Sequence, residues 1–90
     1  MSDENYQLRY TTEAAENLSD LDKSVARRII NKLEWLAENA KEYSHESLSS
    51  NWAGYYRIRV GDYRVIYQLD PETQQMEIAK VGHRRDVYDD

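Results

Sequence analysis

The sequence predicts an α+β domain of order β-α-α-β-β-β, an antiparallel sheet with a two-helix hairpin packed on one face. Three observations predict it. Two consecutive segments with apolar residues at helical spacing occupy residues 12–41. The second half carries runs of aromatic and β-branched residues broken by turn signals. A short alternating run, Tyr6, Leu8 and Tyr10 with Gln7 and Arg9 between them, precedes the helices and reads as a first strand. At 90 residues and 10.7 kDa the chain makes one domain over residues 1–90. A chain of this length buries roughly 60–65% of its unfolded surface, enough for a single core.

The elements follow in order. Thr11-Thr12 offers an N-cap, and Glu13 and Glu16 sit in the first turns, where the helix dipole favours acid. Ala14, Leu18 and Leu21 give helix one over about residues 12–21. Asp22 is placed to cap helix two. Val25, Ile29, Leu33, Leu36 and Ala40 form its apolar stripe at i, i+4, i+8, i+11 and i+15, and it ends near Asn39–Lys41. Residues 42–54 read as a loop rich in Ser, with Asn51 and Gly54, anchored by Leu48 and Trp52. Tyr55 to Val60 and Tyr63 to Leu69 read as strands joined by Gly61-Asp62. Asp70-Pro71-Glu72-Thr73 makes a turn, Met76 to Val81 a last strand, and Gly82 onward a polar tail.

Composition excludes several classes. There are no cysteines, hence no disulfide framework, Cys-ligated zinc or iron–sulfur cluster. His45 and His83 are far apart and carry no metal-ligand spacing, so the expectation is no metal and no cofactor. No apolar run approaches the ~20 residues that span a bilayer. The acidic, polar start is unlike a signal peptide. The expectation is a cytoplasmic protein without a membrane role. The net charge is −5, yet it is uneven: residues 1–50 hold 6 basic and 10 acidic side chains, residues 51–90 hold 6 and 7. An anion site on this chain must be a local gathering of arginines on an acidic body.

The hairpin at Gly61-Asp62 supplies such a gathering. A two-residue loop beginning with Gly suits a type II′ turn. It pairs Val60 with Tyr63, Arg59 with Arg64, Ile58 with Val65 and Arg57 with Ile66. Alternation then puts Tyr56, Ile58, Val60, Tyr63, Val65 and Tyr67 on the core face and Arg57, Arg59 and Arg64 on the other. Like charges directly opposite on a sheet are destabilising. Either nearby carboxylates, with Asp62 and Asp86 as candidates, salt-bridge this face, or it binds an anion such as phosphate, which guanidinium forks grip in pairs.

Gly82-His83-Arg84-Arg85-Asp86-Val87-Tyr88 adds further candidates. Arg84 joins the arginine face if the last strand neighbours the hairpin. Histidine titrates near neutrality, so His83 suits proton transfer, although a surface histidine is the plainer reading. Tyrosine is a poor base at its ordinary pKa of about 10, and nearby arginines would stabilise its phenolate. Arginines with a Tyr or His and no metal suit RNA cleavage. The 2′-hydroxyl is already beside the phosphorus, and the protein must take its proton, neutralise the phosphate and protonate the leaving 5′-oxygen.

Three segments in order resemble the RelE/ParE family of toxins from toxin–antitoxin pairs. They are Leu21 through Ile30, Trp52 through Tyr67, and Val81-Gly82-His83-Arg84 through Val87-Tyr88. The resemblance implies a RelE-like microbial RNase fold. In the RelE branch it implies a metal-independent endoribonuclease that cuts mRNA in the ribosomal A site by attack of the 2′-hydroxyl. By position it assigns catalytic roles to Arg57, Arg59, Arg64, Arg84 and Tyr88; His83 stands as a rival base from its own chemistry, and RNA binding is expected of Arg57, Arg59 and Arg85. It implies a RelB-like antitoxin that wraps the toxin, ribosome and mRNA as targets, and contact with operator DNA only through the antitoxin complex. Two alternatives stand beside it: a ParE-like inhibitor of DNA gyrase without nuclease chemistry, and an inactive relic that only binds antitoxin.

Overall fold

A computed structural model describes residues 5–85. Strand β1 (Gln7–Tyr10) leads into α1 (Thr12–Ser19) and α2 (Lys23–Glu38). A two-residue strand β2 (Glu46–Ser47) and a 3-10 turn (Ser50–Trp52) precede β3 (Tyr56–Val60), β4 (Tyr63–Asp70) and β5 (Gln75–His83). The five strands form one sheet in the order β1-β5-β4-β3-β2.

The helices start and stop where local chemistry directs. The Thr11 hydroxyl accepts from the Ala14 N–H at 3.1 Å, and the Asp20 N–H closes α1 on the Glu16 carbonyl at 3.1 Å. Asp22 occupies the N-cap of α2 without a side-chain cap bond, so its contribution there is electrostatic. Ile29, Leu33 and Leu36 of α2 are fully buried, with Ala14 and Leu18 of α1 beside them. They press on Ile58, Val65, Tyr67, Met76, Ile78 and Val81, which share one face of the sheet.

The expected layers and strand pairs are present, with three differences. The sheet is mixed, not wholly antiparallel: β1 runs parallel to β5, pairing Gln7 with Gln75 through Tyr10 with Ile78. Alternation looks the same in either direction, and no short turn joins these two strands to fix their sense. The segment read as loop contains β2, which pairs Glu46 with Arg57 and Ser47 with Tyr56. Finally, β5 continues through Gly82 and His83 instead of ending at Val81.

Two details shape β5. Opposite Ile66 and Tyr67 it holds an extra residue, Ala79, because Ile66 pairs with Lys80 and Tyr67 with Ile78. Beyond Ile78 no strand among the described residues lies along its β1 side. There α1 takes over: the Thr11 hydroxyl donates to the Ala79 carbonyl and the Val81 N–H donates to Asn17 Oδ1, both at 3.0 Å. Backbone polar groups at this edge are thus satisfied by side chains.

Candidate functional site

The β3–β4 hairpin has the register its turn requires. Val60 pairs with Tyr63, Arg59 with Arg64, Ile58 with Val65 and Arg57 with Ile66. Gly61 has φ +60, and Asp62 is not in the left-handed region, as a type II′ turn demands. Arg57, Arg59 and Arg64 therefore lie on the sheet face away from the helices.

The end of β5 brings a fourth arginine. Gly82 pairs with Arg64 and presents no side chain against it. The Arg84 N–H donates to the Asp62 carbonyl at 2.8 Å, which holds the chain after β5 beside the hairpin turn. Arg64 records the result: burial, then the charges of Arg57, Arg59 and Arg84, lower its pKa from the ordinary guanidinium value, and Glu46 opposes them. Four guanidiniums thus act on one another on a single face. Ile66 lies among them and is fully buried although it belongs to no part of the helix-covered core. Its register neighbours are Arg57 and Lys80, so long side chains roof it with their hydrocarbon stems.

Glu46 is the residue that reading the sequence missed. It stands across β2–β3 from Arg57, and its carboxylate contacts the Arg57 guanidinium. The Arg57 side chain is 13% exposed and that of Glu46 54%, so the pair sits at the rim of the face. Its backbone is pinned from the other side by His45. The His45 ring bridges the Tyr67 hydroxyl at Nδ1, 2.5 Å away, and the Ala40 carbonyl at Nε2, 2.7 Å away. The carbonyl can only accept, so Nε2 donates and, in the neutral ring, Nδ1 accepts from Tyr67. Two residues are too short to show alternation and gave no strand signal.

The other predicted residues are placed less centrally. His83 pairs with Tyr63, and the two rings meet edge to face at 5.5 Å on the helix side of the sheet. Its Nδ1 accepts from the Arg85 N–H at 3.2 Å. The structure thus does not bring His83 to the arginine face. Arg85 is exposed in the turn after β5. Tyr88 and Asp86 lie outside the described residues. Among the described residues, no three His, Asp or Glu side chains gather as a metal site would need, and no helix is long and apolar enough to cross a membrane. The arrangement can bind a phosphate diester between guanidiniums and offers one carboxylate beside it as a proton acceptor.

Comparison with known proteins bears on the family and the fold. The family model described as ParE toxin of type II toxin–antitoxin system, parDE, matches residues 8–88. Toxin RelG of Mycobacterium tuberculosis is 28% identical over 83 residues, covering 92% of this chain and 95% of that protein. The toxin–antitoxin complex RelBE2 of Mycobacterium tuberculosis matches with a TM-score of 0.79 at 27% identity, over 89% of this chain and 99% of the other. The isolated E. coli RelE toxin shares the fold, with a TM-score of 0.72 at 21% identity over 87% and 83% of the two chains.

Proposed function

The chain belongs to the ParE toxin family of type II toxin–antitoxin systems, and from that premise we propose that it is a metal-independent endoribonuclease that cleaves mRNA in the ribosomal A site. The observation that supports this reading is the arginine face: Arg59 directly opposite Arg64, with Arg57 and Arg84 beside them. Like charges this close cost stability; Glu46 offsets part of that cost at Arg57, and a phosphate held between guanidinium forks offsets more.

In the proposed reaction the 2′-oxygen forms a bond to phosphorus and the bond to the 5′-oxygen breaks. The products are a 2′,3′-cyclic phosphate and a 5′-hydroxyl. Arg57, Arg59 and Arg64 hold the non-bridging oxygens and neutralise the charge that builds on them. Glu46 takes the 2′-hydroxyl proton; a carboxylate can accept it and a guanidinium cannot. Arg84, at the end of the face, stabilises the leaving 5′-oxygen, which takes a proton from water to become the 5′-hydroxyl, and Glu46 later returns its proton to solvent. Tyr88 contributes as base or as a stacking surface. His83, on the far side of the sheet, has no part in the scheme.

The partner is an antitoxin, as in the relatives crystallised as RelB–RelE complexes.

Primer extension on mRNA loaded on purified ribosomes tests the proposal, with free mRNA and Arg64→Ala as controls. Cleavage that requires both ribosome and Arg64 is the expected result. The name of the matching family favours a second reading, a ParE-like gyrase inhibitor. A folded protein that stops growth, cuts no mRNA and blocks supercoiling would establish that one instead.

A further inference from the structure

Two aromatic residues near the arginine face have no role in the core. The Leu48 N–H donates to the Tyr55 carbonyl at 3.0 Å, which extends the β2–β3 ladder by one pair beyond Ser47 and Tyr56. Tyr56 points to the core and packs against it. Tyr55, one residue earlier, therefore falls on the outer face, in line with Arg57 and Arg59. The Trp52 ring meets it edge to face, centroids 5.0 Å apart at 85°. Both are half-buried, and neither packs against the helix-covered core.

In an edge-to-face pair one ring turns only an edge to the other, so its own two faces stay clear of its neighbour. Tyr55 and Arg57 are two residues apart on one strand face, about 7 Å. An aromatic surface at that distance from a phosphate grip has the layout by which proteins hold single-stranded nucleic acid: cation on the backbone, ring under the base. The Tyr55 N–H donates to the Trp52 carbonyl at 3.0 Å, so the pair is a built unit and not two loose side chains.

We propose that Trp52 and Tyr55 form a base-stacking platform for the unpaired nucleobase next to the phosphate held by Arg57 and Arg59. This rests on the reading of the arginine face as an RNA site. The platform takes any base by its π-face and holds purines more tightly than pyrimidines, because they offer more ring area.

The test is equilibrium binding of a 2′-O-methyl adenosine trinucleotide, which cannot be cut, and of three versions each lacking one base. Wild-type protein is expected to lose about ten-fold in affinity for one of the three. Trp52→Leu and Tyr55→Leu keep apolar volume but remove the ring face; in them the intact and base-deleted ligands should bind alike. A wild-type protein that binds all four ligands equally, in an Arg64-dependent way, overturns the platform and leaves the arginine site standing. A base effect that survives in both Leu variants also overturns it. Binding that is absent, or unchanged in Arg64→Ala, overturns the platform, while the ribosomal cleavage assay decides the RNA reading on its own. Melting temperatures of the Leu variants separate lost stacking from lost folding, since instability alone does not make affinity blind to one base.

Discussion

Glu46 faces Arg57 across the β2–β3 ladder and its carboxylate rests on the guanidinium. The pair joins a carboxylate to an arginine whose side chain is only 13% exposed. Glu46→Gln keeps the shape and removes the proton acceptor. Single-turnover cleavage on ribosomes is expected to fall about 10²–10⁴-fold, while affinity for the uncleavable trinucleotide holds or rises as Arg57 is released. Cleavage at the wild-type rate would remove Glu46 from the chemistry.

Arg64→Ala and Arg84→Ala should each lower cleavage about 10²–10³-fold with the circular dichroism spectrum unchanged. Each should also reduce the salt slope of RNA binding by about one. Arg59→Gln has a second consequence. It removes the like charge directly opposite Arg64, so the variant is expected to gain about 0.2–1 kcal/mol of stability, read as a higher urea midpoint at low salt.

Tyr88→Phe and Tyr88→Ala divide the two roles the family resemblance offers that residue. Loss of cleavage in Phe makes the hydroxyl the active part. Normal cleavage in Phe with loss in Ala makes the ring the active part. With Glu46 as the proton acceptor, the second pattern is expected.

Gly61 is set at φ +60, where a Cβ is strained, and the nearest atom a Cβ would meet is Arg28 Nη1 at 3.8 Å. The space is open, so the penalty of Gly61→Ala comes from the backbone alone, about 1–2 kcal/mol. Thermal unfolding should show a lowered midpoint without aggregation. No change would mean that the turn readjusts.

Alkaline pH supplies a further check. Burial, with Tyr43, Tyr56 and Glu46 adding to it, raises the Tyr67 pKa far above its ordinary value. Burial and Glu34 raise that of Tyr10 as well. Above pH of about 10 the unfolded chain gives up these protons first and binds fewer than the folded one, so stability falls as pH rises. Below that pH the contribution is fully present. Urea midpoints at pH 9 and 11 should diverge, and Tyr67→Phe should narrow the gap.

Much of this was legible in the residues. The Gly61-Asp62 turn fixed the hairpin register because only one pairing keeps Ile58 and Val65 under the helices and three arginines out. The stripe of α2 was equally plain, since Ile29, Leu33 and Leu36 are buried as their spacing demands. Glu46 was not legible, because its strand is two residues long and its partner lies eleven positions on. The sense of β1 was not legible either, because the pairing is long-range and a four-residue alternation is symmetric. Nor was the face of His83, which depends on the extra residue at Ala79 rather than on any local pattern.

That extra residue makes the length of β5 a determinant of the chemistry. Met76 and Ile78 point to the helices at one end of the strand, and Val81 and His83 do so at the other. The switch from even to odd positions happens at Ala79. Deleting one residue there would exchange the two faces beyond it. Lys80 and Arg84 would be driven under the helices, while Val81 and His83 would come out beside Arg64. The arginine-bearing surface and the core of this strand are therefore counted from the same residue, and a change in chain length cannot alter one without breaking the other. New chemistry on this face is reachable by substitution at Gly82 or Arg84, and closed to insertion or deletion between Ile78 and Val81.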